Sequence, residues 1–140
     1  MKPNSLVPEL SITDFGKTIQ FYTETLGFKI EYQREEEGFA YLSLGESQIM
    51  VDQIDLTRTW ETGILEYPLG RGVNFQIEVP DIEPLLTSLS QNGIHLFMEP
   101  EDKWYRKDET EVGNRQFLVQ DPDGYLLRFF QDLGTRESRR

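Results

Sequence analysis

A chain of 140 residues is one domain's worth of sequence, and its 14 Lys plus Arg against 25 Asp plus Glu leave a net charge of −11. That field repels nucleic acid and anionic lipid and favours cationic ligands, although acidity also serves solubility alone. The absence of cysteine excludes a disulfide framework, a thiolate metal site and a Cys nucleophile, and no stretch approaches the ~20 apolar residues of a membrane span. The first residues, Met1-Lys2-Pro3-Asn4-Ser5, lack the apolar core of a signal peptide. A soluble, cytoplasmic protein is expected.

In chain order, Leu6–Ile12 reads as a strand with Pro8 inside it, hence one with a free edge or a bulge. Thr13 or Asp14 caps a helix whose apolar face is Phe15, Ile19, Tyr22 and Leu26, and Gly27 stops it. Phe28–Arg34, Phe39–Leu44 and Gln48–Gln53 are strands, the first two joined by Glu35-Glu36-Glu37-Gly38. Residues 54–70 have no clean period and carry Trp60 and Tyr67. Unstructured segments of this length in compact domains are often binding loops.

The pattern then repeats. Gly72–Val79 is a strand, Asp81 caps a second helix with Pro84 in its first turn, and Ile82, Leu85, Leu86 and Leu89 make its buried face. Gln91-Asn92-Gly93 ends it, and Ile94–Met98 is the next strand. Residues 99–113 form an insertion without a counterpart in the first copy, bearing Trp104, Tyr105 and Arg106. Gln116–Gln120 and Tyr125–Gln131 close the unit around Asp121-Pro122-Asp123-Gly124, and residues 134–140 are a frayed tail. The expectation is an α+β chain of two tandem βαβββ modules, at about 5–53 and 71–133, bending a mixed sheet around a cleft.

Two segments, Phe21-Tyr22 through Leu26-Gly27-Phe28 and Arg115 through Phe129, carry a family likeness. With the strand-Asp-helix-Leu-Gly-Phe plan and the Asp-Pro-Asp-Gly-Tyr closure, the chain resembles the vicinal oxygen chelate superfamily of glyoxalases, extradiol dioxygenases and bleomycin-resistance proteins. Val7-Pro8-Glu9-Leu10 and Gly113-Asn114-Arg115-Gln116-Phe117 are most similar to the bleomycin-resistance branch. The resemblance implies curved sheets and a homodimer. It also implies four metal-ligand places, which by count fall at Val7, Val51 (within one residue), Asn74 and Arg128. Valine donates no lone pair and arginine repels a metal, so neither a metal nor another cofactor is expected, nor any catalytic residue. Asp52 would be a lone carboxylate if the count slipped by one.

His95, the only histidine, reads as a residue at a strand end. The candidate ligand-binding residues are Phe39, Tyr41, Trp60, Tyr67, Asn74, Trp104, Tyr105 and Arg128. The aromatics offer flat faces for a cationic or planar group. Asn74 and Arg128 are expected to point into the cavity, Arg128 paired with a carboxylate. The bleomycin-binding relatives tend to carry a tryptophan just ahead of the Gly-Asn-Arg segment, where this chain has Val112. The sequence thus reads as a metal-independent binder of a cationic, partly aromatic small molecule such as a bleomycin-type glycopeptide. A metal-dependent lyase or dioxygenase, and a binder of some other metabolite, stay open.

Overall fold

The computed structural model describes residues 1–138. The chain forms two compact units: Met1–Leu69 with Asp121–Gly124, and Gly70–Gln120 with the chain from Tyr125 onward. Each holds a four-stranded mixed sheet with a helix between its first two strands, the first unit adding a single 3-10 turn at Glu35–Glu37, so the expected α+β class and the doubled βαβββ order are observed.

In the first unit the strands are β1 (Glu9–Ile12), β2 (Lys29–Arg34), β3 (Phe39–Leu44) and β4 (Ser47–Gln53), in the order β1-β4-β3-β2. β1 lies parallel to β4 at the sheet edge, and the other neighbours are antiparallel. The first strand is shorter than expected. Pro8 stands just ahead of it and contributes only its carbonyl, which accepts from the Met50 N–H at 2.9 Å, the one role a proline can fill in a ladder.

Asp14 caps the first helix, its carboxylate accepting from the Lys17 N–H at 3.1 Å. The helix is not the continuous one expected. After α1 (Phe15–Gln20) the chain widens into a π-helical turn over Phe21–Thr25, where the Leu26 N–H reaches back five residues to Phe21 O at 3.0 Å. Thr18, Phe21 and Thr25 are buried along with Tyr22 and Leu26, and Phe15 and Ile19 are half-buried. Gly27, at φ +84°, ends the segment as expected.

The second unit orders β5 (Asn74–Glu78), β6 (Met98–Lys107), β7 (Thr110–Gln120) and β8 (Leu126–Glu137) as β5-β8-β7-β6. Its helix, α2 (Glu83–Gln91), starts with Pro84 in the first turn, and the Asp81 carboxylate accepts from the Glu83 N–H at 3.0 Å. Ile82, Leu85 and Leu89 are buried, and Leu86 only partly.

Three expectations about this unit are corrected. Ile94–Leu96 is a loop, not a strand; β6 begins at Met98. The expected insertion at 99–113 is regular structure. β6 and β7 pair as one long hairpin from Glu101↔Gln116 to Lys107↔Thr110, turning at Asp108 and Glu109. Nor does the chain fray at Gly134. β8 continues to Glu137, with Gly134–Glu137 paired to Thr110–Gly113; residues 139–140 of the expected tail lie outside the described residues. Cross-strand partners compensate for the poor local propensity of these charged stretches, and a single sequence does not show such partners.

Each unit has its own core. Ile12, Tyr22, Leu42 and Val51 are fully enclosed in the first, and Ile77, Ile82, Leu89, Phe117, Val119, Leu127 and Phe129 nearly so in the second. Phe117 and Phe129 stack at 5.5 Å. Burying each large apolar side chain stabilises by roughly 1.5–3 kcal/mol. Among the described residues no helix is long and apolar enough to cross a membrane.

Candidate functional site

Successive strand residues face opposite sides, so the register sorts each sheet into a helix-covered face and an open one. In the first unit the Gln53 amide oxygen accepts from the Phe15 N–H at 2.8 Å. This places α1 over the face of Ile49, Val51 and Gln53. The pairs Phe39↔Asp52, Tyr41↔Met50 and Ser43↔Gln48 put Phe39 and Tyr41 on the opposite face with Asp52. On β2, Tyr32 and Arg34 share that face as partners of Tyr41 and Phe39.

Phe39 and Tyr41, both expected to bind ligand, are each only 4% exposed. The ring offered to solvent is that of Tyr32, 47% exposed. It stacks on Tyr41 at 5.4 Å and tilts against Phe39 at 5.8 Å, while the Arg34 guanidinium lies 4.0 Å above Phe39. Tyr41 donates its hydroxyl to Gln48 Oε1 at 2.6 Å. Sequence reasoning missed Tyr32 and Arg34; their alternation on β2, opposite Tyr41 and Phe39, was the available signal.

Val51, counted as a ligand place, is on the helix-covered face opposite Ala40 and fully buried. The one-residue shift allowed in the count applies, and Asp52 takes the open face. Asp52 is not alone there: Glu9 shares the face, since β1 pairs Glu9 with Met50 and Ser11 with Asp52. Burial raises the Asp52 carboxyl; Arg34 lowers it, Glu37 raises it, and a hydrogen bond from Thr57 lowers it. Glu9 is raised by burial and then by Asp52, against Arg34. The face therefore presents an aromatic stack beside two carboxylates whose pKa values are raised by burial.

In the second unit Gln131 Oε1 accepts from the Ile82 N–H at 3.2 Å, so α2 covers the face of Leu127, Phe129 and Gln131. Asn74, Gln76, Gln116, Leu118, Arg128 and Phe130 share the open face through Asn74↔Leu126, Gln76↔Arg128, Leu118↔Arg128 and Gln116↔Phe130. Asn74 and Arg128 are thus brought to one face, as expected. The carboxylate partner expected for Arg128 is absent among the described residues. Arg128 Nη2 donates to the neutral Gln76 Oε1, and Nε is buried with no partner. Gln116, 3% exposed, donates Nε2 to Tyr105 Oη at 2.6 Å and to Glu101 Oε1 at 3.2 Å, leaving its Oε1 without a partner.

Tyr105 therefore belongs to the open face and its neighbour Trp104 to the other. The Trp104 ring lies against Gly113, where a Cβ would stand 2.8 Å from it, and carries the Arg136 guanidinium at 4.0 Å. Arg136 Nε donates to Glu111 Oε1 at 2.7 Å. Trp104 is thus turned away from Asn74 and Arg128, because strand alternation separates it from Tyr105. Trp60 and Tyr67 sit in the irregular segment of the first unit, 71% and 63% exposed, with Arg58 4.6 Å above the Trp60 ring. His95, expected at a strand end, lies exposed in the loop before β6, lining a cavity of about 410 Å³ with Leu89 and Glu99.

The four superfamily ligand places do not fit a metal. Val7 has no donor atom, Asp52 in the place counted to Val51 is a single carboxylate, Arg128 is a cation, and Asn74 offers only a weak amide oxygen. No group of three or more His, Cys, Asp or Glu among the described residues is placed to hold an ion.

The chain is similar to known proteins over nearly its whole length. It is 31% identical over 136 residues to a bleomycin resistance protein of Geobacillus stearothermophilus, covering 91% of this chain and 96% of that protein. It is 31% identical over 129 residues to a probable lactoylglutathione lyase of Vibrio parahaemolyticus, covering 88% and 86%. Among solved structures, TioX from Micromonospora sp. ML1 aligns with a TM-score of 0.69 at 22% identity, covering 94% of this chain and 100% of that one, a likeness of fold. The model of the Glyoxalase/Bleomycin resistance protein/Dioxygenase superfamily matches residues 5–129, and the chain belongs to that family.

Proposed function

We infer that this protein binds a small molecule without a metal, in the manner of the bleomycin-resistance proteins, and acts in the cytoplasm by sequestering it. The ligand in this reading is cationic and partly aromatic, with a bleomycin-family glycopeptide as the named candidate. The observation that carries it is the open face of the first sheet. A half-exposed Tyr32 is backed by Tyr41 and Phe39, beside Asp52 and Glu9, in a chain of charge −11. Rings attract cations through their faces, and carboxylates in a poorly hydrated setting gain most from an opposite charge. Similarity to a bleomycin resistance protein supports the same reading. The remaining residues assigned to the ligand are Trp60, Tyr67, Asn74, Tyr105 and Arg128.

Titration calorimetry with a bleomycin tests it. Saturable heat with a matching thermal shift is expected; no heat and no shift at millimolar drug remove the antibiotic and leave the metabolite-binding reading. A second reading is favoured by the similarity to lactoylglutathione lyases: a metal-dependent lyase with an unfamiliar ligand set. Elemental analysis decides it, since about one equivalent of transition metal per chain would replace the first reading.

A homodimer completes the proposal. Leu6, Trp60, Ile64, Tyr67 and Phe97 are all more than 60% exposed on the single chain, at 86%, 71%, 89%, 63% and 62%. A second copy of the chain would take such side chains out of water.

A further inference from the structure

Arg115 shows what an arginine of this chain does with a carboxylate. Its Nε and Nη2 donate side by side to Asp102 Oδ1 and Oδ2, at 2.8 and 3.0 Å. Arg128 presents the same edge and has no such partner. Its Nη2 donates to the Gln76 amide oxygen, and its Nε is enclosed without an acceptor. No ion pair to Arg128 occurs among the described residues, although the chain has 25 acidic residues to supply one. The half-buried guanidinium thus has a neutral amide where Arg115 has a carboxylate, and one enclosed donor without an acceptor. An amide oxygen fills one position where a carboxylate would fill two.

We propose that Arg128 anchors a subsite for a carboxylate group of the ligand, on the open face of the second sheet, with Gln76 as a neutral placeholder. Gln76 is exposed, so its side chain swings away at little cost, and the incoming carboxylate takes both Nε–H and Nη2–H. Tyr105 supplies a further donor on this face. Its oxygen already accepts from Gln116 Nε2, and Glu101, which can only accept, holds that nitrogen in place. The Tyr105 hydroxyl proton is therefore directed elsewhere. The inference rests on the reading of this chain as a small-molecule binder, and it adds a carboxylate to the chemistry of what the second unit binds.

The test uses benzoate, with benzamide and benzylamine as controls, on full-length nitrogen-15-labelled protein at neutral pH. Saturable movement of the Arg128 Nε–H resonance with benzoate is expected, with benzamide weaker by about tenfold or more, as for loss of a charge-assisted bidentate pair. Gln76→Glu installs an internal carboxylate, so it abolishes benzoate binding while raising the melting temperature. Arg128→Gln abolishes binding with its fold intact by circular dichroism. An Arg128 Nε–H that ignores millimolar benzoate overturns the proposal, as does equal benzoate binding by Arg128→Gln or by Gln76→Glu. Tighter binding of inorganic phosphate than of benzoate overturns the carboxylate assignment. Bleomycin calorimetry on the same samples separates the two readings. Benzoate binding without bleomycin binding removes the antibiotic and keeps the subsite; bleomycin binding without benzoate binding removes the subsite alone.

Discussion

The Tyr22 hydroxyl donates to Asp121 Oδ2 at 2.8 Å across 99 residues of sequence, with both side chains buried. Beside it, Asp123 accepts from the Thr13 N–H at 3.1 Å and the Thr13 hydroxyl at 2.5 Å. A turn between β7 and β8 thus supplies the acceptors for the helix-bearing end of the first unit. Tyr22→Phe removes a donor to a buried carboxylate and is expected to destabilise by about 1–3 kcal/mol, as for loss of a hydrogen bond to a charged group. Urea unfolding with an unchanged m-value checks this; a loss below a few tenths would show the contact contributes little.

Tyr32→Ala is expected to weaken bleomycin by ~1–3 kcal/mol, because it removes the exposed ring of the stack. Trp104→Ala is expected to act on stability instead, since its ring packs on Gly113 beneath Arg136. Calorimetry on both variants checks the assignment. The reverse pattern would place the ligand on the α2 side of the second sheet.

Gly113→Val forces a branched side chain into the Trp104 ring, and a loss of ~1–3 kcal/mol is expected from the overpacking. Tryptophan fluorescence and urea unfolding report the displaced ring and the lost stability together.

The Asp52 and Glu9 carboxyls are raised in the folded protein, which sets the sign of a pH effect. Below the ordinary carboxylate range both states are protonated and their contribution is at its fullest. It is lost as pH rises through the raised folded values. Asp52→Asn, which cannot ionise, is therefore expected to gain on wild type as pH rises from acid to neutral. Melting curves at both ends of that range check it, and a melting temperature of the variant, relative to wild type, that falls as pH rises would refute it. Affinity for a cationic ligand moves the same way in wild type, strengthening as the two carboxyls ionise.

Sedimentation is expected to give twice the chain mass of 16.4 kDa at micromolar concentration. Trp60→Ser with Ile64→Ser is expected to shift it toward that mass, because both side chains are largely exposed on the single chain.

The repeat was legible because its punctuation is local. Asp14, Gly27, Asp81 and Gly93 mark helix ends through their own backbone chemistry, and the strand periods need no partner to be read. What was not legible depends on pairing. Glu101–Lys107 looked irregular because its charged residues become a strand only against β7. Tyr32 and Glu9 became site candidates only once the register put them opposite Tyr41 and Met50. Trp104 and Tyr105 looked equivalent as neighbours, yet a strand sends neighbours to opposite faces. The π-helical turn at Phe21–Thr25 has no signature in the apolar spacing.

Because Asp121–Gly124 completes the first unit, that unit has a timetable as well as a shape. On the ribosome its strands emerge first, but Thr13 and Tyr22 wait for acceptors made about a hundred residues later. Such long-range closure slows folding relative to local contacts. The first unit therefore begins the chain yet closes only after β7 has been made, its last pieces arriving just ahead of β8.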